Sequence, residues 1–143
     1  MTDTISFAAG ELDTRPLLEA FVVAGFDVNV DEEGQPYIRK DGPPVFIGTD
    51  AANNVVEYLS VVELNDSQAW EAKSAIAGKL TELVPFCRFH VPQDHPGLLI
   101  VSHHFVVVDG YPRQALVDAY GHFARACEAA LKVCHRAEIL ESV

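Results

Sequence analysis

Basic residues are scarce in this chain. Ten Lys and Arg stand against 21 Asp and Glu, a formal net charge of -11, so the mean field repels phosphate backbones and anionic lipid surfaces. The bases are scattered from Arg15 to Arg136, without a stripe and without interleaved aromatics. That excludes the stacking platform of a single-strand binder, and no nucleic acid is expected as a partner. The opening MTDTISFAAGELD has no basic stretch leading into an apolar run, and the most apolar segment, Leu98 to Val108, is cut by Ser102-His103-His104. Neither a leader nor a membrane span is expected, and the chain reads as cytoplasmic with no membrane partner.

Cysteine is also sparse. Cys87, Cys127 and Cys134 form neither an even disulfide set nor a CxxC pair, and in a reducing compartment they stay thiols. Internal repeats, low-complexity tracts and Ser/Gly-rich linkers are absent, so nothing divides the chain. One domain over 1–143 is expected, with its core at about 13–136. At 143 residues and 49% apolar composition, such a domain buries about two-thirds of its unfolded surface without staples, which removes it from the disordered class.

The arrangements that carry chemistry are missing as well. The six histidines, His90, His95, His103, His104, His122 and His135, show no HExxH and no helical His-x3-His, and a structural metal site needs about four ligands at defined spacing. His103 and His104 are adjacent in a strand-like run, so their side chains point to opposite faces. Cys127 and Cys134 lie seven apart, on one face of a helix and away from its N-terminus, where the dipole disfavours a thiolate. Asp31, Glu32 and Glu33 occupy a turn and lack the oxygen-ligand spacing of a calcium loop. No serine has a GxSxG context and no glycines form a phosphate loop. No catalytic residue, cofactor or metal ligand is assigned, and no enzyme is expected.

What is present is a sequence of short periodic segments. Asp13 or Thr14 caps a first helix with Pro16 in its first turn, Leu17, Leu18, Phe21, Val22 and Ala24 recur at helical spacing, and Gly25 ends it. Phe26 to Val30 alternates, Asp31 to Gly34 turns, and Pro36 to Lys40 resumes an extended run, which is a hairpin. Asp41 to Pro44 turns again before Val45 to Gly48 and the β-branched run Val55 to Leu64. Asn65-Asp66-Ser67 offers a cap for a middle helix through Trp70, Ile76, Leu80 and Val84 that Pro85 terminates. A second hairpin spans Phe86 to Val91 and Leu98 to Val106, and a last helix over about 112–136 carries Leu116, Tyr120, Phe123, Cys127, Leu131 and Cys134 on one stripe. Most of the strand connections are too short for parallel crossovers. The expected fold is α+β: an antiparallel sheet of about five strands with three helices, in the order α-β-β-β-α-β-β-α.

The words LLEAFVVAGFDVNVDEEGQPYIRKDG, FCRFHV and ALVDAYGHFARACEAAL, in that order of elements, resemble the YbjN-type family of proposed bacterial sensory transduction regulators, over roughly Pro16 to Lys132. The resemblance implies a fold like that of type III secretion chaperones: an antiparallel sheet with helices, commonly dimeric, and without known catalysis. No binding residue is carried over.

Apolar residues exceed what one face of a small sheet needs: Leu99, Val101 and Phe105 to Val108, together with Val55, Val56, Val61 and Val62. The surplus reads equally as a partner or dimer surface, with Val61, Val101, Phe105 and Val107 at its centre, or as a sheet covered on both faces. The leading expectation is a non-catalytic protein-binding module, chaperone-like or regulatory, working as a homodimer on a protein or peptide client. The alternative is a small-ligand or metal-binding sensor, or a thiol or metal enzyme, using Cys87, His90 and His104 on the second hairpin.

Overall fold

The computed structural model of the chain describes residues 3–40 and 42–141. Asp41, expected in a turn, lies outside the described residues, as do the two residues at each end of the expected domain. The elements run α1 (Thr14–Val23), β1 (Val28–Val30), β2 (Pro36–Ile38), β3 (Val45–Asp50), β4 (Val55–Glu63), α2 (Trp70–Leu83), β5 (Arg88–His90), β6 (Leu98–Val106) and α3 (Arg113–Arg136). The fold is α+β, with three helices and one six-stranded sheet in the order β1-β2-β3-β4-β6-β5. Every pairing is antiparallel. The count exceeds the expected five by one: the runs Phe26 to Val30, Pro36 to Lys40, Val45 to Gly48 and Val55 to Leu64 each supply a strand, so four strands precede α2 where the expected order has three.

Local chemistry explains most boundaries. The Asp13 carboxylate accepts from the Arg15 amide at 3.0 Å and caps α1. Gly25, at φ 92°, ends it: Phe26 N–H donates to Phe21 O and Gly25 N–H to Val22 O, the paired bonds of a left-handed helix stop. The middle helix departs from expectation. Its cap is Ala69, with no side-chain hydrogen bond, because Asn65 and Ser67 are drawn instead to the end of the chain: Asn65 Nδ2 donates to Glu138 O and Leu140 O, and Ser67 Oγ donates to Glu138 O. Trp70 Nε1 donates to Val91 O and buried Lys73 Nζ to Pro96 O at 2.8 Å, which ties α2 to the second hairpin.

All three helices pack on one face of the sheet. Val56, Tyr58, Ser60 and Val62 of β4, Leu99 and Val101 of β6, Ile47 of β3 and Phe89 of β5 are buried there. Tyr58 centres the core, with Phe21, Phe105, Tyr120 and Phe123 at ring-centroid distances of 5.2 to 6.5 Å, and its hydroxyl donates to Leu116 O at 2.7 Å. Edge-to-face arrangements of this kind add to the area buried. The core reaches beyond 13–136, since Ile5, Leu12 and Ile139 are also buried. Short bridges at Thr4–Pro112 and Leu64–Leu140 bring both arms back to the body.

The other face carries Tyr37, Phe46, Leu59, Val61 and Ile100, flanked by Glu57, Glu63, Arg88, His90 and His104. These side chains are half-buried or exposed. Among the described residues no helix packs on them, so the three helices leave this face bare.

Candidate functional site

The residues singled out from sequence scatter over both faces. Val101 and Val107 have no exposed area and belong to the core, so they present no surface. Phe105 is half-buried on the helix side, its ring 5.2 Å from Tyr58 and 5.3 Å from the His103 imidazole. Val61 alone of the four lies on the bare face, opposite Ile100. Val55 shares that face, and Val106 and Val108 are more than half exposed at the end of β6. The apolar surplus therefore divides between core and surface.

The second hairpin does not assemble a reactive site. His90 stands opposite Ile100, four residues from His104 along β6, roughly 13 Å at strand spacing. His104 pairs with Glu57 on the bare face, while His103 turns to the helix side, where its Nδ1 lies 2.8 Å from Phe86 O. Among the described residues, no group of three or more His, Cys, Asp or Glu side chains could hold a metal ion. Burial, with a smaller contribution from Cys127, pushes the Cys87 thiol up to about 12. Burial likewise pushes Cys127 up to about 12 against the opposing hydrogen bond from Ser60, and Cys134 up to about 11. All three stay protonated near neutrality and lack the thiolate that nucleophilic chemistry needs. The acids of the first turn are structural: Asp31 Oδ1 accepts from the amides of Glu33 and Gln35 at 2.9 and 2.8 Å.

A concave surface does exist, at a place that residue patterns alone barely mark. A groove of about 710 Å³ runs between α1 and β1, with Leu18, Val22, Val23 and Val28 along its apolar side and Arg15 and Arg113 among its polar groups. Val22, Val23 and Val30 are about 60% exposed, an unusual cluster for three β-branched residues. β1 is the outer strand of the sheet. Asp31 N–H donates to Gln35 O at 3.0 Å, so the hydrogen-bonded pairs fall at Asp31–Gln35 and Asn29–Tyr37. Val28 and Val30 therefore turn their N–H and C=O groups away from β2, toward the open side, while their side chains face α1. An open strand edge and an apolar groove thus adjoin. The signal in the sequence was the doublet Val22-Val23, which widens the apolar face of α1 beyond the Leu17, Ala20 and Phe21 stripe that the core buries.

A smaller cavity of about 340 Å³ lies between Phe26 and α3. Lys40 Nζ sits 5.3 Å from the Phe26 ring centroid, and Arg125 Nη2 is 2.8 Å from His122 Nδ1. Asp118 and Glu128 also line it, so its charges are of both signs. Among the described residues no helix is long and apolar enough to cross a membrane.

Comparison with known proteins places the architecture. No family model matches the chain, and no curated protein is similar to it in sequence. Among solved structures the fold is similar to that of YbjN from E. coli, described as a proposed transcription regulator, with a TM-score of 0.70 at 13% identity over 88% of this chain and 93% of that one. An uncharacterised protein from Methanothermobacter thermautotrophicus aligns with a TM-score of 0.63 at 12% identity, over 88% and 99% of the two chains. A chain of the HopA1–SchA chaperone–effector complex aligns at 0.55 and 13% identity, over 83% and 90%. At such identities the likeness establishes the fold alone, shared with a proposed transcription regulator and with a chain of a chaperone–effector complex.

Proposed function

We propose that this chain is a non-catalytic, cytoplasmic protein-binding module of the YbjN type, which takes an extended segment of a protein client at the α1–β1 groove. The observation that carries the reading is the junction of an open strand edge with exposed valines. A segment laid along β1 finds outward-pointing backbone groups at Val28 and Val30, and every second side chain of that segment falls over Val22 and Val23. Strand addition of this kind draws affinity from main-chain hydrogen bonds and specificity from alternate side chains. The fold likeness to a chaperone–effector complex supports a polypeptide client, and the buried, protonated thiols speak against a thiol enzyme.

The bare sheet face has a separate role in this reading: two copies meet across Tyr37, Phe46, Leu59, Val61 and Ile100, which leaves each β1 edge free for a client. Binding is tested by fluorescence anisotropy with a library of labelled peptides, about ten residues long, that alternate apolar and polar positions. Saturable binding that is lost in Val22→Asp, and lost when the peptide backbone is N-methylated, is the expected result. If no library member binds, or if Val22→Asp binds as the parent does, the groove is not the client site.

A further inference from the structure

We infer that the segment taken at the α1–β1 groove carries an acidic side chain, which Arg113 and Arg15 receive; this rests on the reading of the groove as the client site. Two of the ten basic residues of the chain line this one groove. Neither has an ion-pair partner among the described residues, where the single pair is His104 with Glu57. Arg113 Nε is buried and has no hydrogen-bond acceptor. A buried donor left unpaired is costly, and a charged one more so, so a shift of the Arg113 side chain toward an acceptor in the groove would relieve that loss.

Arg113 is the first residue of α3, and its amide donates to Asp3 O at 2.8 Å, which anchors its backbone at the groove wall. Its side chain also lines the adjoining cavity beside Asp3. The groove also carries Asp13 and Glu19; Asp13 accepts from the Arg15 amide at the α1 cap, and among the described residues neither acid forms an ion pair with an arginine, so both guanidiniums are left to be paired by contact. A guanidinium offers a planar fork that fits a carboxylate with two parallel bonds. The valines beside it ask for apolar residues two positions before and after that acid, on the same face of the segment. At net charge -11 the chain repels acidic partners at long range, so selection for an acid here is a local, short-range contact.

The test uses the full chain and three forms of the same labelled alternating peptide library, with Asp, Asn or Lys placed in turn at each position of the side-chain row that falls over Val22 and Val23. The expected result is one position at which Asp binds roughly tenfold tighter than Asn, with Lys weaker than both. Arg113→Gln and, as an exposed second variant that leaves the α3 terminus intact, Arg15→Gln are each expected to weaken Asp-peptide binding by more than Asn-peptide binding, and so to reduce the Asp preference. Added salt should narrow the gap between Asp and Asn. Equal binding of Asp and Asn peptides at every position, or an equal loss of both in the arginine variants, overturns the acidic preference and leaves the groove reading standing. Absence of binding by every peptide overturns both.

Discussion

Tyr58 and the three cysteines show how burial sets chemistry at single residues. The Tyr58 hydroxyl is buried and satisfied by Leu116 O at 2.7 Å, and burial, with Tyr111 adding, pushes its ionisation well above the usual tyrosine range. Cys87 and Cys127 go from 9.0 up to about 12 for the same first cause. The folded chain therefore holds protons on these thiols that the unfolded chain releases, between pH 9.0 and about 12. Their contribution to stability is complete below the unfolded value and is lost as pH rises through that window. Urea midpoints measured from about pH 8 to about pH 10.5 should fall with pH, and fall less steeply in Cys127→Ala. A pH-independent difference between the two proteins would contradict this. The helical spacing of Cys127 and Cys134 already placed them on the packing stripe, because a period of 3.6 is a local property.

At the scale of elements, α1 and α2 differ in how their starts are held. Asp13 caps α1 through its own carboxylate, whereas α2 begins at Ala69 with no side-chain acceptor. Ala69 has extended backbone angles, φ -70° and ψ 160°, which suit a capping residue. Ala69→Asp should stabilise the fold by about 1 kcal/mol, read as a higher denaturant midpoint at unchanged slope. The acid also meets the positive end of the helix dipole. The sequence pointed to Asn65 and Ser67 for this cap, but those side chains bind carbonyls of the chain's last turn. That partner lies more than 70 residues away, and no local pattern announces it. The strands were more legible: exposed Phe86, Arg88 and His90 alternate with buried Cys87, Phe89 and Val91 as period two demands. The hairpin is nonetheless shorter than its pattern, since Phe86 O accepts the His103 ring and Cys87 N–H turns back to Val84 O.

Across the whole molecule, one layer of helices on one sheet face leaves an apolar strip on the other. A second copy is the economical cover for such a face in the proposed function. Val61→Glu places a charge at the centre of that strip, so light scattering at micromolar concentration should report a dimer for the parent and a monomer for the variant. Peptide binding at the distant α1–β1 groove should persist in the variant. A parent that is monomeric at that concentration would remove the dimer from the reading without touching the groove.

The residues themselves determined the helical stripes, the alternation within each strand and the antiparallel class, because each of these depends on neighbours within about one turn or one hairpin. Alternation says which residues share a face and leaves open which face the helices cover. Only the tertiary structure decided that Val101 faces the core while Val61 faces outward, since that choice depends on the β4–β6 pairing around α2 and on where α3 returns. It also decided that β1 is an outer strand and that Arg113, from the start of the last helix, lines the same groove as Arg15 from the start of the first. Sites assembled from distant segments are set by chain return, and a local reading of sequence carries no term for it.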